Sequence, residues 1–408
     1  MPHFDIGKIK EELKEKMNAK KVSRIILIVV FFLFLIVPSL LRNRIEGKES
    51  KYEKRYLAKY PSLVKNDGEF NDKYFKEFDD WASDNLWNRD TMIHNYNQFM
   101  YDTFSTVNKK SNFTIGQNRE IFYTSENSIK NYTGIEYVDK ENVEAGKEFL
   151  LAFDDLCKIS NRSFYYMPLV DKEEVKAEYF PKSINKINEK NDIDRFVDKI
   201  KNETDVKVYY PKELLQKEKD KYTIFSRTGD VTHWTDRGAY MTYLDFMKTI
   251  SENEKYDFKI LGEEDFNIQK VWMSPDLYGG VSDPAEIEIF RLKEKNTEEF
   301  YYIVDESEEN NTFDKVRYRN DKLKKGKNLL IIGDSYIDYY WMFYIQESFY
   351  NTVFLHFLKI EYLPYVLSLY NPDIIIFENA SREFFLRIDN FKVYADYIKG
   401  VRDIIKRG

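Results

Sequence analysis

Leu329-Leu330-Ile331-Ile332-Gly333-Asp334-Ser335-Tyr336 is the stretch on which the fold reading turns. Four aliphatic residues with no polar interruption read as a strand covered on both faces, because a half-solvated strand would alternate. Gly333 permits the tight turn that follows. The aromatic stretch Tyr336 to Tyr350 reads as a helix whose apolar residues belong to the core. A strand that turns directly into a helix exposes the intervening Ser335 hydroxyl at the C-terminal edge of the sheet, where α/β proteins build their sites. The N-terminus of the helix offers unpaired N–H groups and a positive partial charge. Both favour the oxyanion that develops when a serine attacks an ester carbonyl, and one such donor is typically worth ~3 kcal/mol of barrier. Asp-Ser is also an ordinary helix cap; its place behind an apolar strand is what makes it a candidate nucleophile.

Further apolar, β-rich runs lie on either side: Phe164 to Val170, Val206 to Tyr210, Val353 to Phe357 and Asp373 to Phe377. Helical stretches separate most of them. Buried strands alternating with helices define an α/β architecture. Lys65 to Phe104 reads as helical, with Phe75, Phe78, Trp81 and Trp87 on recurring faces. Residues 255–325 are more charged and read as an insertion with a few strands, so 61–408 forms one catalytic domain.

A serine needs a base. The second dense cluster, Gly229-Asp230-Val231-Thr232-His233-Trp234-Thr235-Asp236, offers one. Imidazole can take the serine proton and return it to the leaving oxygen. A carboxylate three residues earlier can hold the ring in the required tautomer. Of the four histidines, His3 precedes the apolar N-terminal segment, His94 lies in a helical stretch and His356 lies in an apolar strand. His233 is therefore the base expected, with His356 as runner-up and Asp236 as the fallback carboxylate. Gly333, Asp334, Tyr336, Trp234, Asn379 and Arg382 are the further candidates for oxyanion or substrate contacts.

Near the N-terminus, Ile25 to Leu41 carries no charge and is flanked by Arg24 and Arg42. At a rise of ~1.5 Å per residue this is the short end of a membrane-spanning helix. The competing readings are a signal peptide, which would want a small-residue cleavage site, and a buried core helix. The expected organisation is a segment 1–24, a transmembrane anchor 25–41, a stalk 42–60 and the catalytic domain. Basic residues flank the apolar segment on both sides, so the charge rule gives no orientation.

Net charge is −7 with no basic stripe, which argues against a nucleic-acid partner. A single cysteine, Cys157, excludes an internal disulfide and a thiolate zinc site. Four histidines make a multi-histidine metal site improbable. No metal or cofactor is expected.

These motifs resemble the alginate O-acetyltransferases of the AlgX/AlgJ type and the related DHHW proteins, which are SGNH-hydrolase-like. The resemblance is carried by several segments in order. They are Glu53-Lys54-Arg55-Tyr56-Leu57-Ala58 with Tyr60-Pro61, then Phe78 to Trp81 with Asp84 and Arg89, then Ile115-Gly116 to Tyr123. Met167-Pro168 with Lys172, the Asp230/His233 cluster, Gly333-Asp334-Ser335, and Pro372 to Ile376 with Glu378 and Arg382 follow. Glu120 stands where the pattern has Trp, and two residues separate Asp230 from His233 where many relatives have one. The resemblance implies a three-layer domain with a parallel sheet flanked by helices and the Asp/His segment ahead of the serine. It implies a single-pass protein of the cell membrane, with segment 1–24 cytoplasmic and the catalytic domain extracytoplasmic, that O-acetylates a polysaccharide. A membrane-bound O-acyltransferase is then the expected acyl donor. A carbohydrate acetylesterase with the same triad is the first alternative, and a non-catalytic envelope scaffold or glycan-binding protein the second.

Overall fold

The computed structural model describes residues 20–33, 36–37, 47–48, 50, 56–65, 67–106, 112–273, 281–301, 315–387 and 391–407. Residues 20–33 are helical. No described helix is long and apolar enough to cross a membrane. Positions 34, 35 and 38–41 of the expected anchor, and much of the expected stalk, lie outside the described residues.

The chain divides into two compact units. The smaller takes the residues up to Asp102 with a short stretch at 278–281; the larger takes the rest. The expected single helical region splits into the helices Tyr74–Asp84 and Arg89–Phe104, broken where Asn88 takes a positive φ of 55°. Within the smaller unit the Asp84 carboxylate accepts the Ala58 N–H at 2.9 Å, which ties the preceding segment to the first helix.

The larger unit carries the sheet. Strands β1 (Phe113–Ile115) and β2 (Ile121–Tyr123) form a short antiparallel ribbon. Then come β3 (Ser163–Leu169), β4 (Lys207–Val208), β5 (Phe266–Met273), β6 (Ala285–Leu292), β7 (Thr297–Tyr301), β8 (Lys315–Asn320), β9 (Asn328–Gly333), β10 (Asn351–His356) and β11 (Ile374–Ala380). Seven of them form one sheet in the order β4-β3-β11-β9-β10-β8-β7. The first five are parallel, but β8 and β7 add antiparallel to the β10 edge. The parallel sheet that the family resemblance implies is therefore corrected to a mixed one. The reason is local: β7 and β8 come from the charged stretch 255–325, and an antiparallel edge needs only one covered face. Only β5 and β6 of that stretch form a separate hairpin.

Successive side chains of the central strands enter different cores. Tyr165, Met167, Leu329, Ile331, Ile374 and Ile376 pack on one face with Tyr240, Tyr243, Phe246 and Ile250 of the helix Asp236–Glu254. Phe164, Tyr166, Leu330, Ile332, Ile375 and Phe377 pack on the other with the helices Lys140–Ile159, Asp192–Glu203 and Phe391–Arg407. Double coverage is why these strands read as unbroken apolar runs rather than alternating ones. The result is a helix–sheet–helix sandwich with β9 flanked by β11 and β10. Ser335 follows on the C-terminal end of β9, with Asp334 between.

Candidate active site

After β9 the chain turns at Asp334 and is helical from Ser335. The next turn is wide: Ile337–Trp341 form a π-helical segment before the α-helical Met342–Ile345. Such widened turns recur at functional sites. Tyr336, Ile337 and Trp341 are buried, as the core reading of this stretch expects, but Tyr339 is 61% exposed. The ring of Tyr339 stands edge-on to His233 at 5.4 Å, and the Tyr340 hydroxyl donates to Asp230 Oδ2 at 3.3 Å. Tyr339 thus belongs to the site, and Tyr340 packs on the core with its hydroxyl turned to the site. Tyr339, four residues after Ser335, shares its helical face, and that spacing could have revealed it; nothing in the sequence signals the π turn.

The Asp/His loop reaches the same edge. Gly229 sits at φ 94°, a conformation open to glycine at little cost. Asp230 then folds back on its own loop: Oδ1 accepts the N–H of Thr232 at 3.1 Å, the Thr232 hydroxyl at 2.9 Å and the N–H of His233 at 3.2 Å. Thr235 caps the following helix by accepting the Gly238 N–H. The loop between these anchors presents the imidazole, whose Nδ1 lies 2.9 Å from Asp230 Oδ2 and whose Nε2 lies 3.0 Å from Ser335 Oγ. Two residues separated by 102 positions thus meet at hydrogen-bond distance, with the carboxylate on the far ring nitrogen. Burial would raise the Asp230 carboxyl, but the hydrogen bonds and charge of His233 and the bonds of Thr232 outweigh it and hold the group below its ordinary value. The carboxylate is ionised where the ring needs an acceptor.

Of the alternatives, Asp236 is occupied in accepting the Phe290 N–H at 3.0 Å. His356 ends β10, where Nδ1 accepts the Leu358 N–H at 3.2 Å and the ring stacks on Phe357. Most of the candidates for oxyanion or substrate contact lie beneath the triad. Trp234 is buried with its ring edge-on to Tyr336 at 5.3 Å. Tyr336 is fully buried and donates to the Val170 carbonyl at 3.1 Å. Asp334 accepts the N–H groups of Tyr336 at 2.9 Å and Ala380 at 2.8 Å. The amide of Asn379 donates to the Ala380 carbonyl. Arg382 is ion-paired with Asp171 and with Glu126, the latter at 2.9 Å. Burial, opposed by Arg382, leaves the Asp171 carboxyl raised to about 6. Ser335 itself stands at the first helical position, where a backbone N–H has no partner within the helix.

Lys172 is the residue whose weight sequence reasoning underestimated. Its buried ammonium donates to the carbonyls of Ile121 and Ser226, each at 2.7 Å, and to Arg227 at 3.2 Å. It thereby clips the start of the Asp/His loop to β2. Burial lowers it to about 8, against the opposing charge of Glu120. Glu120 lies 2.8 Å from Lys172 Nζ and 2.6 Å from Lys176 Nζ. Glu120 thereby neutralises the two ammonium groups gathered there.

The sheet and the site define a three-layer α/β protein with a serine–histidine–aspartate constellation at the C-terminal edge of its parallel strands. Among solved structures it is similar to the O-acetyltransferase domain of AlgJ from Pseudomonas putida, at 12% identity over 72% of this chain and 99% of that one, with a TM-score of 0.49. It is similar to PatB1 from Bacillus cereus, at 14% identity over 65% of this chain and 94% of that one, TM-score 0.48. It is also similar to a DHHW family protein from Eubacterium siraeum, at 16% identity over 62% and 88%, TM-score 0.45. No family model matches the chain, and no curated protein matches it in sequence.

Proposed function

We propose that the protein is an O-acyltransferase that moves an acyl group, most simply acetyl, onto a hydroxyl of a cell-surface or secreted polysaccharide through an acyl-Ser335 intermediate. The observation that carries this reading is the 3.0 Å approach of His233 Nε2 to Ser335 Oγ, with Asp230 on the opposite ring nitrogen. In the first half-reaction His233 takes the Ser335 proton while Oγ bonds to the acyl carbon of the donor. The tetrahedral oxyanion forms near the Ser335 N–H, and its collapse breaks the bond to the donor oxygen, which receives the proton from His233. In the second half-reaction His233 deprotonates a sugar hydroxyl, which attacks the acyl-serine and restores the free serine.

An anchor at 25–41 and an extracytoplasmic catalytic domain are part of the same proposal, supported by the uncharged apolar segment and by the resemblance of the motifs. A membrane-bound O-acyltransferase would then supply the acyl group. The test is incubation with an activated acetyl ester, with and without an oligosaccharide, followed by mass analysis of the sugar. Acetylated oligosaccharide from the wild type and none from Ser335→Ala supports transfer. Acetate release unaffected by the oligosaccharide points to an esterase, and no turnover at all to a non-catalytic protein.

A further inference from the structure

Directly beneath the serine turn lies a carboxyl group that the triad does not use. Glu378 of β11 is fully buried. Its Oε2 accepts the main-chain N–H of Asp334 at 3.0 Å, one residue before Ser335, while its Oε1 is buried without a partner. The fit is close: a Cβ built on Gly333 would stand 2.4 Å from that same Oε2. A Gly at 333 is what lets the carboxyl reach the turn. Facing it is a second buried carboxyl, Asp334, whose charge bears on it. Asp334 spends one oxygen on the Tyr336 N–H and the other on the Ala380 N–H.

Two carboxyl groups buried side by side are costly to ionise together. Asp334 accepts a backbone N–H at each of its oxygens. Glu378 has one oxygen with nothing to accept, and an unfilled buried oxygen is where a proton costs least. We propose that Glu378 is a positioning residue: a neutral carboxylic acid that accepts the Asp334 N–H, clamping the turn that holds Ser335 against His233. Burial, the charge of Asp334 and that of Glu383 all raise Glu378 well above the ordinary carboxyl range, in agreement with this assignment. The clamp also joins the end of β11 to the start of the serine helix.

The inference rests on the proposed role of Ser335. It is tested on the full chain with Glu378→Gln and Glu378→Leu, measuring the rate at which a sulfonyl fluoride modifies Ser335 per mole of folded protein. Glutamine is neutral and can accept the Asp334 N–H, so its maximal rate should lie within about 3-fold of the wild type. Leucine keeps the volume without the clamp, and its maximal rate should fall roughly 100-fold, the scale of a misplaced reacting group, with the half-saturating concentration unchanged. A glutamine variant as slow as the leucine variant overturns the neutral clamp. Equal rates for all three proteins overturn any positioning role while leaving Ser335 as the nucleophile. A wild type whose Ser335 is never modified overturns the nucleophile and this inference together.

Discussion

Replacing Asp230 by asparagine separates the electronic work of the carboxylate from its structural work. Asp230 Oδ1 receives the loop N–H groups of Thr232 and His233, whereas Oδ2 receives Tyr340 and makes the shorter contact with His233 Nδ1. An asparagine that keeps its oxygen at the Oδ1 position preserves the loop bonds and places its NH2 group against the ring. The imidazole must then turn Nδ1 into an acceptor, which moves its proton to Nε2. The nitrogen 3.0 Å from Ser335 Oγ would donate to the serine and could no longer take its proton. The analogous substitution in a serine triad lowers turnover ~10⁴-fold, or about 5.5 kcal/mol of barrier. Stability should change by no more than about 1 kcal/mol, because the Asp230 side chain is a third exposed and its loop bonds survive. Hydrolysis of a fluorogenic acetyl ester and a thermal melt read the two effects separately. An Asp230→Asn protein of normal stability that keeps more than a tenth of wild-type turnover would refute the assignment of Asp230 as the orienting group.

Two further outcomes follow from buried groups. Lys172→Met removes three carbonyl contacts and leaves Glu120 with Lys176 alone; denaturant unfolding should show a loss of about 3 kcal/mol, the lower end for breaking a buried pair, and a loss under ~1 kcal/mol would show that the clip is dispensable. Glu378→Gln should alter the pH dependence of stability in a defined direction. The folded carboxyl is raised above its ordinary value of 4.5, so above that pH the unfolded wild type binds fewer protons than the native state, and its stability declines with pH by at most ~1.4 kcal/mol per unit relative to the glutamine variant. Below that value the two profiles should run parallel. A wild-type profile that instead rises relative to Glu378→Gln through neutral pH contradicts a protonated Glu378.

What the sequence revealed was set by how local the causes are. The strands β9, β10 and β11 announce themselves as apolar runs because both their faces are covered, and Gly333 marks the turn because nothing larger fits against Glu378. The Asp230–His233 pair could be read because a spacing of three on one loop allows direct contact. The stretch 255–325 reads as an insertion with a few strands, but its charged sequence does not show that two of them, β7 and β8, extend the main sheet. Tyr340, Lys172 and Glu378 act through partners far away in the chain: Asp230, the carbonyls of Ile121 and Ser226, and the Asp334 N–H. No periodicity encodes such meetings. The same holds for Trp234, Tyr336 and Arg382, which sit in the right segments but turn into the core or into ion pairs.

Intact-protein mass spectrometry of the chain after brief exposure to an activated acetyl ester, with the modified residue located by peptide mapping, bears most directly on the proposed chemistry. One acetyl group on Ser335 is expected, absent from His233→Ala and discharged when an oligosaccharide acceptor is added. Acetylation confined to lysines, or acetyl-Ser335 forming equally fast without His233, would contradict it.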